Sequence, residues 1–285
     1  MGQAMAHRLL DAGHQVVVYN RSTDKLQSVL ERGAIHAATI RDAASQSEGL
    51  VLSMLADDRA LNAVADGADG LIAGLPAGAV HVVMGTHAVT TVRALADRHA
   101  QAGQTLVAAP VLGRPEAVTA GKLGIIVAGP HAAAERARPA LESIGRRLFP
   151  AGEDPGAAIA VKLANNMLLA CAIEAIGEAF SLVEKSGATG SLFREILVDG
   201  MFACPAYTAY ATIIADKAYD KVGFTTTLAL KDINLALSAG ETAAVPLPSV
   251  AICRDRLLSA IAHGGAEKDW SIMAHEQARA SALKG

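Results

Sequence analysis

Two polar side chains four residues apart, Lys162 and Asn166, stand in an otherwise apolar stretch, GAAIAVKLANNMLLACAIEAIGEAFSLVEKSG, that runs from Gly156 to Gly187. Residues at that spacing share a helix face, and polar groups on a buried helix cost free energy unless they are paired or used. A desolvated lysine can give and take a proton near neutral pH, and an amide one turn on can orient the lysine or the oxygen it serves. The competing reading is structural: Lys162 snorkels to solvent while Asn165 and Asn166 bond to neighbouring loops. Glu174 and Glu178 stand out against the same background.

Three further places could hold a ligand. The turn Asn20-Arg21-Ser22-Thr23 follows the valine-rich run His14 to Tyr19. If that run is the second strand of a nucleotide-binding βαβ unit, an acidic residue at its end would bond the ribose hydroxyls of NAD, whereas a guanidinium and hydroxyls suit the 2′-phosphate of NADP. NADP is therefore the expected cofactor, with NAD as the second choice; a solvated turn arginine is the structural alternative. Gly2 stands where the last glycine of a phosphate-binding turn would be, about ten residues before that strand. Finally, Leu112-Gly113-Arg114-Pro115 follows a strand at the end where α/β sheets place ligands; Gly113 permits close backbone approach, and Arg114 can hold a carboxylate or phosphate through two parallel bonds.

The elements around these residues fall into two series. Helix is expected over the first ten residues with Gly13 as its stop, then a buried parallel strand over His14 to Tyr19, a helix from about Asp24 to Arg32, a short strand at Ala34 to His36, a helix at Arg41 to Ser45 and a strand at Leu50 to Leu55. Alternation continues through Ala79 to Met84, Thr91 to Gln101, Thr105 to Ala109 and Gly124 to Ala128, which predicts a Rossmann-type, doubly wound α/β layer. After Gly152-Glu153-Asp154-Pro155-Gly156 only helical patterns remain: the long stretch itself, about 45 Å at 1.5 Å per residue, then Ser191 to Leu197, Tyr207 to Ala215, Thr227 to Ala239, Ser249 to Ala262 and Ile272 to Ala282. The expected domains are 1–154, a dinucleotide-binding layer, and 155–285, an all-helical domain for substrate and dimerisation.

Composition narrows the function classes. The 285 residues are 52% hydrophobic but only 4% aromatic, which suggests helices packed closely through small side chains. With 25 Lys and Arg against 28 Asp and Glu and no block of like charge, neither a nucleic-acid stripe nor a polybasic membrane patch is evident, so a small molecule is the expected partner. Cys171, Cys204 and Cys253 are widely separated and form neither a disulfide framework nor a metal-ligand spacing. No apolar run is read as reaching membrane-spanning length without polar interruption, and a reducing cytoplasm is the expected setting.

Taken together and in order, MGQAMAHRLLDAGHQVVVYNRS, VLSMLADD, VMGTHAVTT, APVLGRPEAVTAGKL, GAAIAVKLANN and LALKDINLA resemble the β-hydroxyacid dehydrogenase family, which includes 3-hydroxyisobutyrate dehydrogenases and, more distantly, 6-phosphogluconate dehydrogenase. The resemblance covers nearly the whole chain. It implies an NADP-dependent oxidoreductase that moves a hydride between nicotinamide and a small hydroxy acid or an aldehyde or keto acid, as a homodimer or homotetramer. It places the cofactor against Gly2, Asn20, Arg21, Ser22, Met54, Leu55, Thr86 and Lys231, makes Lys162 the catalytic acid and base, and puts Asn166 beside the substrate. Asp232 is left as a helix-side salt-bridge partner with no chemistry assigned.

Departures from the family pattern are expected to matter. The family's substrate loop commonly reads Pro-Val-Ser-Gly-Gly; here Leu112 takes the serine position and Arg114 the last glycine, so a hydroxyl is lost and a cation gained. The usual Met-Ser-Thr is Met84-Gly85-Thr86, followed by His87, and Ala56 stands where proline is common. The first strand of the βαβ unit is missing, which predicts two unpaired strand edges inside the layer and a natural chain beginning roughly ten residues earlier, enough for a strand and its turn. Two other functions compete: an imine reductase of the same architecture, against which Lys162 argues, and a catalytically silent dinucleotide-binding or scaffold protein.

Overall fold

The computed structural model describes residues 1–283 and divides into two compact units, Met1–Lys162 and a second that begins at Leu163. In the first, helices and strands alternate: α1 (Gly2–Asp11), β1 (Val17–Val18), α2 (Gln27–Leu30), β2 (Ile35–His36), α3 (Ile40–Ser45), β3 (Leu50–Ser53), α4 (Asp58–Ala65), α5 (Leu71–Gly74), β4 (Val80–Val83), α6 (Val89–Gln101), β5 (Thr105–Ala108), β6 (Val111–Leu112), α7 (Pro115–Thr119), β7 (Leu123–Val127), α8 (His131–Ile144) and β8 (Gly145–Pro150). Local chemistry sets several of these boundaries. Gly13 closes α1 at φ +85°, Thr39 and Asp42 form a reciprocal capping box at α3, and the Asp57 carboxylate accepts the Ala60 N–H at the start of α4.

The strands form three ladders. β1 and β2 pair in parallel through only Val17 with Ile35 and Val18 with His36; β3, β4 and β5 pair in parallel in that order; β6, β7 and β8 form the third, with β6 antiparallel to β7. An antiparallel bridge between Ala108 and Ala128 ties the second ladder to the third. No hydrogen-bonded ladder joins β1 to β3 among the described residues, the seam at which the sequence leads one to expect unpaired edges. The run His14 to Tyr19 yields only two strand residues, both half-buried, and Ile35 and His36 are exposed, so this pair is a weaker element than the valines suggest. The core sits instead around β4, buried along its whole length, with Val82, Val107, Ile125, Leu141 and Ile144.

One polar line crosses that core. Gln104 Nε2 donates to the carbonyls of Ile72 (3.0 Å) and Leu75 (2.8 Å), which leaves Gln104 Oε1 as an acceptor for His99 Nδ1 at 2.7 Å. A neutral His99 then accepts at Nε2 from His81 Nδ1 (2.9 Å), and His81 accepts at Nε2 from the Ser53 hydroxyl (2.8 Å). Every member is satisfied only while both imidazoles are neutral. Burial, followed by the proximity of His99 and His87, holds the His81 pKa well below the ordinary imidazole value; burial also depresses that of His99.

The helices α9 (Pro155–Lys185), α10 (Gly190–Asp199), α11 (Pro205–Ala215), α12 (Thr226–Thr242), α13 (Pro248–Ala262) and α14 (Met273–Ala280) follow, and the second unit is all-helical. Small residues carry its packing as the alanine content suggests: a Cβ on Gly177 of α9 would lie 2.8 Å from the Ala274 Cα of α14. The long helix departs from expectation in two respects. It is not covered on all faces, since Leu168 and Leu182 are 65% and 70% exposed and Ala175 between them is exposed too. By length and composition alone it is also long and apolar enough to cross a membrane, because Lys162 is the only charge in its first half. Its inward face accounts for much of that hydropathy: Leu163, Ala170, Ile173, Ile176 and Phe180 are buried, and the buried Glu174 accepts from Arg256 Nε of α13 at 2.8 Å. The thiols of Cys171 and Cys253 face each other at 3.9 Å, Cys253 donating weakly to Cys171, and form no disulfide.

Candidate functional site

In the first unit the sequence-derived cofactor residues gather at strand ends and one helix start. Gly2 opens α1, whose Met1 cap supplies no side-chain acceptor, so the helix's first N–H groups are available to an anion. A Cβ on Gly2 would lie 3.6 Å from the Met54 Cβ, which places the helix start against the loop that follows β3, with Leu55 next in that loop. Asn20, just after β1, donates from Nδ2 to the Ser22 carbonyl at 2.8 Å and so shapes the turn from which the exposed Arg21 projects. Thr86 lies in the loop after β4.

Asp58 joins two of these loops. From the first turn of α4 its carboxylate accepts from the Ala88 N–H (3.1 Å), the Thr91 hydroxyl (2.8 Å) and His87 Nδ1 (3.0 Å), all in the loop or helix after β4. Partial burial alone would raise its pKa, but the bonds from His87, Thr91 and Ala88 outweigh that and hold it below the ordinary carboxylate value. Asp58 and His87 lie within VLSMLADD and VMGTHAVTT with no signal that they meet; they are 29 residues apart, and only folding brings them together.

The loop after β6 holds the substrate-side candidates. Leu112 ends that strand, paired with Gly124 of β7. Gly113 has φ +140°, a conformation that disfavours side chains, and a Cβ there would lie 2.7 Å from Leu123 Cδ2. Arg114, half-buried, caps α7 in extended conformation ahead of Pro115.

On α9, Lys162 and Asn166 lie one turn apart on a continuous helix, Lys162 half-buried and Asn166 buried. In the second unit Asn166 Nδ2 donates to Asp232 Oδ2 of α12 at 2.6 Å, and Asn165 Nδ2 approaches Asn166 Oδ1 at 3.3 Å. Asp232 is itself buried, and Lys231 Nζ stands 3.0 Å from its other oxygen, close enough to pair electrostatically though not aligned as a hydrogen bond. Asp232 forms the salt bridge expected of it and does more: a buried carboxylate with an amide on one oxygen and an ammonium beside the other fixes the rotamers of both neighbours. The Lys-Asp pair in LALKDINLA marks the two charges but not the contact with Asn166.

The sequence profile for the NAD binding domain of 6-phosphogluconate dehydrogenase matches residues 1–152, and that for the NAD-binding domain of NADP-dependent 3-hydroxyisobutyrate dehydrogenase matches residues 156–276. An uncharacterized oxidoreductase of Bacillus subtilis is 39% identical over 96% of this chain and 95% of its own. A 3-hydroxyisobutyrate dehydrogenase of Pseudomonas aeruginosa is 33% identical over 94% and 91%. Among solved structures, a Mycobacterium tuberculosis 3-hydroxyisobutyrate dehydrogenase with L-serine superposes with a TM-score of 0.87 at 25% identity, covering 97% of this chain and 95% of that one. The helix-start glycine, the strand-end loops and the lysine–asparagine turn thus lie in a chain that belongs to the β-hydroxyacid dehydrogenase family of NAD(P)-dependent oxidoreductases acting on CH–OH groups.

Proposed function

We propose that the chain interconverts a small hydroxy acid and its aldehyde or keto acid with NADP as the preferred dinucleotide, with residues 1–154 serving the cofactor and 155–285 the substrate and self-association. One observation carries the reading: on α9, a lysine stands one helical turn before an asparagine that a buried aspartate locks in place. The residues present fit a dinucleotide, since the uncapped start of α1 suits a phosphate and Arg21 suits a further phosphate on the ribose. Asn20, Ser22, Met54, Leu55, Thr86 and Lys231 are assigned the remaining cofactor contacts. When bound, the nicotinamide supplies or accepts the hydride. Lys162 donates a proton to the substrate oxygen during reduction and takes it back during oxidation. Asn166, held by Asp232, orients that oxygen or the Lys162 ammonium, and Leu112, Gly113 and Arg114 form the substrate loop, with Arg114 binding a carboxylate or phosphate.

The lysine favours this chemistry over imine reduction, and its pairing with a fixed amide favours catalysis over a silent scaffold. The free thiols are in keeping with a reducing, cytoplasmic setting. A side-by-side fluorescence titration with NADPH and NADH tests the cofactor reading. Tighter NADPH binding that falls to the NADH level in Arg21→Ala is expected; equal affinities, untouched by that substitution, would remove Arg21 from the site.

A further inference from the structure

Gly85 has no conformational reason to be glycine, since its φ does not lie in the left-handed region. Its reason is space. A Cβ at Gly85 would lie 2.5 Å from the Leu55 carbonyl oxygen and would overlap His87 Nε2. The His87 imidazole therefore folds back over its own loop and meets the loop after β3 at the spot where a side chain would otherwise stand. It is completely buried, Asp58 anchors its Nδ1, and its Nε2 is buried without a hydrogen-bond partner. With Asp58 accepting from Nδ1–H, Nε2 is the ring nitrogen left unbonded, in the region of the Leu55 carbonyl. Nothing in simple core packing calls for that arrangement, because an apolar side chain would fill the space without leaving a buried nitrogen unsatisfied.

We infer that His87, held by Asp58 and seated over Gly85, is a positioning residue that sets the spacing between the Met54–Leu55 loop and the Gly85–Thr86 loop, and so tunes dinucleotide affinity. The inference rests on the reading of Met54, Leu55 and Thr86 as cofactor contacts. It also accounts for a departure from the family pattern: a serine at position 85 would occupy the seat of the imidazole, so the glycine and the histidine are one paired change. The tie runs through α4, because Asp58 holds the backbone N–H of Ala88 and the Thr91 hydroxyl with the same carboxylate.

The test uses the full chain, with NADPH as the probe, and reads its dissociation constant, the KM for NADPH, kcat and the melting temperature. His87→Ala should weaken NADPH binding on the order of tenfold, equivalent to about 1.4 kcal/mol, while kcat at saturating NADPH changes much less. His87→Asn, which keeps an N–H donor for Asp58, should recover most of the loss. Gly85→Ala, which crowds the same space with the imidazole intact, should weaken binding as well and serves if His87→Ala does not fold. Unchanged NADPH affinity in both His87→Ala and Gly85→Ala, or a lower melting temperature with unchanged affinity, would overturn the inference alone. Failure of the wild-type chain to bind either dinucleotide would overturn the reading of the cofactor site, and this inference with it.

Discussion

Lys162 and Asp232 should fail differently when replaced. Lys162→Ala removes the proposed proton donor, so kcat should fall by about 10²–10⁴-fold with NADPH binding retained. Asp232→Asn keeps the donor but takes the anionic acceptor from Asn166 and the counter-charge from Lys231, and a hydrogen bond to a charged group contributes about 1.5–3 kcal/mol. That variant should lose thermal stability together with kcat, whereas Lys162→Ala should lose rate alone. Melting curves and steady-state kinetics on the two proteins decide the matter; loss of NADPH binding in Lys162→Ala would contradict its assignment as acid and base. The contrast also shows what a sequence discloses at this scale. Lys162 and Asn166 are four apart, and helix geometry aligns them without further information. Asp232 reaches Asn166 across 66 residues, and His87 reaches Asp58 across 29, so neither contact could be read before the elements were packed.

Among the elements, the line from Ser53 through His81 and His99 to Gln104 gives β3, β4 and α6 a common dependence on pH. Unfolded histidines bind protons as the pH falls through about 6.5. The folded His81 does so only at much lower pH, so through that interval the unfolded state holds more protons and stability falls as the pH falls. The slope reaches about 1.4 kcal/mol per pH unit for one fully depressed group. His87, facing His81, and Arg98 and Asp66, near His99, are the other charged or titratable groups acting on the pair. Urea midpoints measured at about pH 7.5 and 5.5 should drop on acidification; a flat profile would show that the imidazoles are not held neutral. This line is invisible in the sequence because His81 sits in a run of valines that reads as plain buried strand. Helices with regular apolar spacing were legible, including all five after α9. The four-residue α5, the five-residue α7 and the proline-bearing α8 were not, since four or five residues carry little periodicity and Pro139 reads as a breaker; the eight-residue α4 was missed despite its Asp57 cap.

For the whole molecule, the change from alternating strand and helix to helix alone was legible near residue 155, whereas the compact units divide between Lys162 and Leu163, inside α9. The open face of α9 was not, because apolar residues on every side of a helix give no direction. Leu168, Ala175 and Leu182, each seven residues from the next, form an exposed apolar stripe of the kind a second helix can cover. Its proposed occupant is another copy of this chain. Light scattering should give a dimer or tetramer that Leu168→Asp shifts toward monomer; a monomeric wild type would remove the proposal. The ladder of β1 and β2 has a different consequence. With two paired positions and no hydrogen-bonded ladder on the β3 side among the described residues, it has few backbone bonds to resist opening, yet the Asn20-Arg21-Ser22 turn hangs from it. A dinucleotide held there and at the start of α1 would clamp the corner, adding about 2.7 kcal/mol at one hundred times its dissociation constant. Amide exchange across residues 17–36 should slow when NADPH is added. If it does, the same molecule that carries reducing power also governs how long this corner stays shut, and the chain's survival on heating will follow its supply of coenzyme.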